Sequence, residues 1–375
     1  MNLIYTSCCL DISGVTKINF DILNRIKSDC RIHICVTARD DHLINSWDSR
    51  FAEMFGSCLK LWKLDASIRY RYFVDYLEKH RIDLVFNTHS LWLYEHAARL
   101  KQDCKRLKIV DSLHVLEPCR LRGGAPDISA NGYVHPFLDR TILISDDLRH
   151  YLTRHYKVDA SKFVVVRNGI EMERFMGRRV KNSVFRKKLG ISEGNKLVGF
   201  IGRYTKQKRP LLFLEVICKV LAQRDDVRFY MVGDGPLASE VERQIVRKKL
   251  AASVTLLPPR DDIPEVLDST DLLMLTSLYE GAPLIILEAL ACGVPVVSSD
   301  VGAIREYVNA GCNLVMTDPR RGEADRLANA VLERLEQQGI PPFDAAYFDM
   351  PRVAREYLAV FRSVCSDGGG RPPKT

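Results

Sequence analysis

The stretch "YEGAPLIILEALACGVPVVSSD" (residues 279–300) is apolar over most of its length, yet two acids interrupt it, Glu280 and Glu288, with seven residues between them. An apolar stretch tolerates a carboxylate only where something pairs with it, because a buried unpaired charge is costly. Upstream, "DLLMLTS" (271–277) reads as a strand and "LYEGA" (278–282) as the turn at its carboxyl end. Pro283 suits the first turn of a helix, where its missing N–H does no harm. The helix then runs through "PLIILEALAC" and stops at Gly293, a suitable residue just past a helix end, before the strand "VPVVSS". Glu280 is thereby expected in a loop and Glu288 inside a helix, more than a turn from its start. The backbone around Gly281, Ala282, Pro283 and Leu284 (Pro283 itself has no N–H) would favour an anion by roughly 0.3–1 kcal/mol, up to about 2 in a sheltered site.

Outward from this stretch the same alternation recurs. Strands are expected at "NLIYTS", "RIHICVT", "DLVFNTH", "LKIVDSL", "RTILIS" and "KFVVVRN" in the first half, and at "KLVGFIG", "VRFYMVG" and "SVTLLP" ahead of "DLLMLTS" in the second. Amphipathic stretches such as "VTKINFDILNRI", "ASIRYRYFVDYLEKH", "RPLLFLEVICKVLAQ" and "LASEVERQIVRKKL" separate them. Strands rich in β-branched residues alternating with helices predict α/β architecture, two doubly wound parallel sheets covered on both faces. The alternation breaks near "RNGIEMERFMGRRVKN" and restarts, which places a domain boundary around residues 170–190. The expected organisation is a first Rossmann-like domain over 1–170, a second over 171–345, a C-terminal helix over 346–365 packing back on the first domain, and a disordered tail over 366–375. The two domains would face each other across a cleft, with ligands beyond the carboxyl ends of the strands.

At 375 residues the chain exceeds a usual single core, which agrees with two domains. Its apolar fraction of 46% is ordinary for a globular protein. No apolar run approaches the ~18 residues of a membrane span, and the N-terminus reads as a strand rather than a secretory signal. Eleven scattered cysteines without C-x-x-C spacing speak against a disulfide scaffold or zinc site and for a reducing cytoplasm. The net charge of +8 suggests an anionic partner. Six basic residues and no acid occupy 178–188, and four basic residues lie in "GRYTKQKR" (202–209). No nucleic-acid motif accompanies them, so nucleotide phosphates or an anionic membrane surface fit better than nucleic acid, with a solvated helix face as the plain alternative for the first cluster.

"EGAPLIILEALACGVPVV" resembles the Glu-x7-Glu segment of retaining glycosyltransferases of family 4, which have the GT-B fold. In order along the chain, "RTILISDDLRHYL", "VVVRNGIEMERF", "GFIGRYTKQKRP" and "MVGDGPL" resemble further segments of that family. Arg167 stands where the family usually has proline, and Arg209 where many relatives have glycine. The resemblance is firm from about residue 140 to 310 and thinner before that.

What the resemblance implies is specific. Glu288 would accept hydrogen bonds from the two ribose hydroxyls of a nucleotide sugar, a vicinal diol that suits a bidentate carboxylate. Glu280 would contact the donor sugar, and Arg203 and Lys208 would hold the diphosphate, acting most as negative charge grows on the leaving phosphate. With two cations there and no D-x-D motif, neither a metal nor another cofactor is expected. His114, in "IVDSLHVLEP", resembles a family histidine that meets the donor sugar; a satisfied strand-end histidine is its rival reading. Gly14, in "DISGVTK", would let backbone approach the donor phosphate, although the family often has two glycines there. The base is expected against "LLPPRDD" (256–262), mostly through backbone, and Arg260 within it is counted with the donor-binding residues. The "GDG" of residues 233–235 reads as a turn rather than a ligand. The loop over 119–135, with its double glycine, is a candidate acceptor-side loop or lid.

The resulting expectation is a cytoplasmic, metal-independent transferase moving a sugar from a nucleoside-diphosphate sugar to a hydroxyl acceptor. The acceptor would be a glycan or lipid-linked glycan of cell-surface polysaccharide, with a peripheral contact at the inner membrane face as a candidate. A nucleotide-sugar 2-epimerase of the same fold and a binding-only relative are the alternatives. A NAD-dependent oxidoreductase fits less well, because "GFIGRYTK" lacks G-x-G-x-x-G spacing.

Overall fold

The computed structural model describes residues 1–10, 13–38, 47–56, 58–114, 136–156, 158–176, 184–309, 314–318, 322–337 and 343–366. The expected loop over 119–135 and all but the first residue of the expected tail lie outside these residues. The chain divides into two compact α/β units: Met1–Gly169 together with the C-terminal helix, and Ile170–Asp349.

In the first unit, β1 (Asn2–Ser7), β2 (Arg31–Val36), β3 (Cys58–Lys60), β4 (Leu84–Thr88), β5 (Lys108–Leu113), β6 (Arg140–Leu143) and β7 (Phe163–Val165) form a sheet of order β3-β2-β1-β4-β5-β6-β7. Every pairing in it is parallel. Helices α1 (Gly14–Ile26), α2 (Asp48–Phe55), α3 (Ala66–Lys79), α4 (Leu91–Asp103) and α5 (Asp146–His155) lie between the strands. In the second unit α6 (Val184–Lys188) precedes β8 (Lys196–Ile201), β9 (Val227–Val232), β10 (Val254–Leu257), β11 (Leu272–Leu275), β12 (Val296–Ser299) and β13 (Leu314–Thr317). These strands are again parallel, in the order β10-β9-β8-β11-β12-β13. Helices α7 (Pro210–Leu221), α8 (Ala238–Arg247), α9 (Ile263–Asp268), α10 (Leu284–Ala291), α11 (Ile304–Asn309) and α12 (Glu323–Glu336) complete it.

Both sheets are buried on two faces, which is why β4 and β11 are buried at every residue; β11 is the unbroken apolar run LLML, and β4 carries Asn87 and Thr88 at its carboxyl end. Phe213 of α7 packs edge-on against Phe200 and Phe229, with ring centroids 5.3 and 6.1 Å away. Burying each such ring stabilises the unit by about 1.5–3 kcal/mol. The C-terminal helix α13 (Met350–Ser366) packs on α1 and β5 of the first unit. Its Tyr357 and Phe361 rings meet Phe86 of β4 at 5.8 and 5.1 Å. Two strands were not anticipated, β3 and β13. They stand at sheet edges and have three and four residues.

The order of strands fixes where ligands can approach. In the first sheet the direction of winding reverses between β1 and β4, and in the second between β8 and β11. Crossovers on either side of such a point go to opposite faces, so the loops after those strands leave a crevice at their carboxyl ends. Among the described residues no helix is long and apolar enough to cross a membrane.

One buried acid lies under the first of these points. Asp111 of β5 is fully buried, and its Oδ1 accepts hydrogen bonds from Tyr94 Oη (2.7 Å) and Asn87 Nδ2 (2.8 Å). Its Oδ2 has no partner. Burial pushes its pKa up to about 7, and hydrogen bonding from Tyr94, Asn87 and the Ser112 backbone only partly opposes that. The folded state therefore holds this proton more tightly than the unfolded chain does. The stability so contributed is full below about pH 4 and is lost as pH rises through about 7. Asp111→Asn is expected to flatten the dependence of unfolding free energy on pH between 4 and 8, by up to about 4 kcal/mol. Parallel slopes for the two proteins in urea titrations across that range would refute this.

Candidate functional site

The second unit gathers most of the expected residues at the β8/β11 reversal. Arg203 and Lys208 lie in the loop after β8, Glu280 in the loop after β11, and Glu288 inside α10. The two loops are stitched together by backbone and side chain. Leu278 N donates to Gln207 O (2.7 Å), Gln207 Nε2 to Tyr279 O (3.1 Å), and Thr276 Oγ1 to Lys208 O (2.9 Å). This stitching sets Lys208 against Glu280: Lys208 Nζ donates to Glu280 Oε1, and Ser277 Oγ donates to the same oxygen at 2.5 Å. The Glu280 side chain is 6% exposed, so its charge is held by a cation and a hydroxyl rather than by water. The acid in the apolar stretch is thus paired with a lysine from 72 positions upstream.

Glycines bring the surrounding loops into contact. Gly233 and Gly235 have φ of +152° and +149°, and a Cβ on them would stand 2.0 Å from Gly202 O and 2.8 Å from Tyr204 O. The "GDG" segment is a turn on which the β8 loop rests: Gly202 N donates to Val232 O, Tyr204 N to Asp234 O, and Leu237 N to Tyr204 O. Tyr204 is buried and bonds Met231 O, which leaves Arg203, its neighbour, exposed. Gly302, with φ of +59°, supports the other loop; its Cβ would fall 2.2 Å from Glu280 O, and Ala303 N donates to Gly281 O.

Helix α10 begins at Leu284, with Pro283 at the N-cap rather than in the first turn, and Ala282 is buried ahead of it. At its other end Gly293 takes φ of +69°; Gly293 N bonds Leu290 O and Val294 N bonds Ala289 O, the paired bonds of a glycine-terminated helix. Glu288 is buried on this helix.

Arg260 follows β10, and its guanidinium grips Asp262 at 2.7 and 2.5 Å while lying 5.5 Å from the Phe185 ring centroid. The basic cluster over 178–188 is not uniformly a solvated face. Arg186 is buried and bonds Ser269 O, Asn195 O and Asp271, whereas Lys187 and Lys188 are exposed.

Gly14 and His114 belong to the first unit. Gly14 opens α1 behind the Ser13 cap. His114 directly follows β5 and is buried, with Nε2 3.2 Å from Ser112 Oγ and no partner on Nδ1. Burial, reinforced by His89, lowers its pKa to about 3, so the imidazole is neutral at working pH. The sequence reading missed His89. It follows β4 at the β1/β4 reversal with φ of +56°, and its ring stands edge-on to His114 at 6.3 Å. Its position at a strand's carboxyl end was the available signal. Gln207 was missed because its partner, Tyr279, is 72 positions away; Ser277 was missed although it lies only three positions from Glu280, a spacing that was the available signal.

Residues 12–174 match the family model "Glycosyltransferase Family 4", and residues 195–337 match "Glycosyl transferases group 1". The chain is 32% identical over 165 residues to the UDP-Gal:alpha-D-GlcNAc-diphosphoundecaprenol alpha-1,3-galactosyltransferase of Escherichia coli, covering 43% of each. It is 29% identical over 238 residues to D-inositol 3-phosphate glycosyltransferase of Rhodococcus jostii, covering 61% of this chain and 50% of that one. The matches thus span about half the length of these curated relatives. Among solved structures, Anabaena HepE in complex with UDP-glucose aligns with a TM-score of 0.82 at 20% identity, covering 97% of this chain and 100% of that chain. The architecture is GT-B. The chain belongs with the family-4 glycosyltransferases.

The support under Glu280 generates a prediction. Gly302→Ala forces both a left-handed backbone and a clash with a carbonyl, so it is expected to cost about 2 kcal/mol or more. Urea unfolding with an unchanged midpoint would show that this contact does not hold the loop.

Proposed function

We propose that the protein is a retaining, metal-independent glycosyltransferase that moves a sugar from a nucleoside-diphosphate sugar onto a hydroxyl acceptor. The observation that carries this reading is the Lys208–Glu280–Ser277 arrangement, beside Arg203 at a strand-order reversal and followed directly by the helix that bears Glu288.

Breaking the bond between the anomeric carbon and the diphosphate leaves negative charge on the leaving group. Arg203 and Lys208 meet that charge; a cation about 4 Å away contributes on the order of 4 kcal/mol at an effective dielectric of 20. The contribution is greatest in the transition state, where the charge is most developed. These two cations take the role a divalent ion has in other transferases, and no cofactor is required. Glu280, fixed by Ser277, addresses the sugar hydroxyls, and Glu288 the ribose diol. Neutral His114 offers a hydrogen bond to a sugar hydroxyl without adding charge. The leaving phosphate takes the acceptor's proton on the same face, which retains the anomeric configuration.

The E. coli relative's name specifies a diphosphate-linked lipid acceptor, and that of the Rhodococcus relative an inositol phosphate. The net charge of +8 favours an anionic acceptor of this kind, a glycan or lipid-linked glycan of the cell surface reached from the cytoplasmic side of the membrane.

The decisive experiment incubates the protein with a panel of nucleotide sugars, with and without EDTA, and analyses the products. Nucleoside diphosphate released from one donor in both conditions supports the proposal. A new nucleotide sugar, or a sugar altered at C2, replaces it with the epimerase reading, and inverted product by NMR removes the retaining step. Glu288→Ala is expected to lose roughly 3 kcal/mol of transition-state stabilisation, on the order of a hundredfold in rate; unchanged donor kinetics would contradict its role.

A further inference from the structure

We infer that Arg209 and Glu323 form a clamp that positions Lys208 against Glu280, a role that rests on the donor-holding reading of those two residues. Arg209 follows Lys208 directly and takes a left-handed conformation, φ 49° and ψ 56°, ahead of Pro210. A side chain larger than that of asparagine seldom adopts this region, and such strain persists only where the surroundings over-determine it. Here they do. Arg209 Nη1 and Nη2 bond the two carboxylate oxygens of Glu323 at 2.8 and 2.7 Å. Nε donates to Thr276 O at 2.5 Å, and Nη2 also donates to Ser277 O at 3.1 Å and Ser299 Oγ at 3.0 Å. Glu323 is 7% exposed at the start of α12, and Ser299 Oγ donates to it as well.

One guanidinium therefore ties the β8 loop to the ends of β11 and β12 and to α12. Two of its acceptors, Thr276 and Ser277, are the residues that orient the site: Thr276 Oγ1 bonds Lys208 O, and Ser277 Oγ bonds Glu280. The left-handed turn at 209 sends successive side chains to different partners, Lys208 to Glu280 and Arg209 to Glu323. A glycine relaxes this backbone and holds none of the bonds. An arginine keeps the turn and fixes it.

The test compares Arg209→Lys, Glu323→Gln and the double variant Arg209→Gly/Glu323→Gln with the unmodified protein. The double variant removes both charges, so no buried carboxylate is left unpaired and the fold is kept. Three quantities are read: the melting midpoint, kcat and KM for the donor that the protein turns over, and the rate at which acetic anhydride acetylates Lys208, followed by peptide mass spectrometry. The clamp predicts faster acetylation of Lys208 by several-fold in the double variant, as its ammonium leaves Glu280. It also predicts a kcat lowered about tenfold to a hundredfold, with donor KM changed far less, since a misplaced group costs most in the transition state. Arg209→Lys, which keeps the charge and loses the fork, is expected to fall between. A folded double variant in which Lys208 is acetylated at the unmodified rate overturns the inference. If the unmodified protein turns over no nucleotide sugar, the functional reading falls, and the acetylation rate still decides whether the clamp exists.

Discussion

A carboxylate shut away from water must be met by a cation, and the Lys208–Glu280 pair is where the second unit satisfies that rule. Everything around it serves the meeting. The lysine arrives on the loop after β8 and the glutamate on the loop after β11, and the reversal of winding between those strands makes the loops neighbours. Removing either partner alone would leave a charge stranded in a place built for two. That asymmetry is why an apolar segment of the chain can carry an acid at all.

The loops that bring the pair together touch backbone to backbone, and this is where glycine is needed. At Gly233, Gly235 and Gly302 the obstruction to a side chain is a carbonyl or amide of another loop, not a flexible neighbour that could move aside. The site therefore tolerates change poorly at positions that contact no substrate in the proposed mechanism. Arg209 is the counterpart: a non-glycine residue held in a glycine-like conformation because its side chain makes five hydrogen bonds that a glycine could not.

The first unit solves its polar burial differently. Its most deeply buried polar groups are neutral, namely the hydroxyl pairs Thr37–Ser90 and Thr88–Ser112, His114 kept uncharged and Asp111 raised towards neutrality, while its ion pairs, such as Lys101–Asp139, stay partly exposed. Neutral donors and acceptors at the carboxyl ends of a sheet suit recognition of hydroxyl-bearing ligands, where fixed charges would have to be desolvated to no purpose.

Much of this was legible in the chain itself. Period and composition located eleven strands, and "YEGAPLIILEALAC" announced its loop, helix and two acids by the alternation of turn and apolar residues, because those properties depend on neighbours a few positions away. The structure divides the chain at Gly169 and Ile170, and a resemblance over several ordered segments supplied the family. The edge strands β3 and β13 were not located; β3, with the sequence CLK, holds no β-branched or aromatic residue to mark it. Only the tertiary structure decided which charges meet. Lys208 with Glu280, Arg209 with Glu323, and Arg186 with Asp271 are separated by 72, 114 and 85 positions, and each pairing depends on strand order rather than on sequence spacing. An ion pair is set by distance in space, and a chain pattern encodes distance only over a turn of helix or a step of strand.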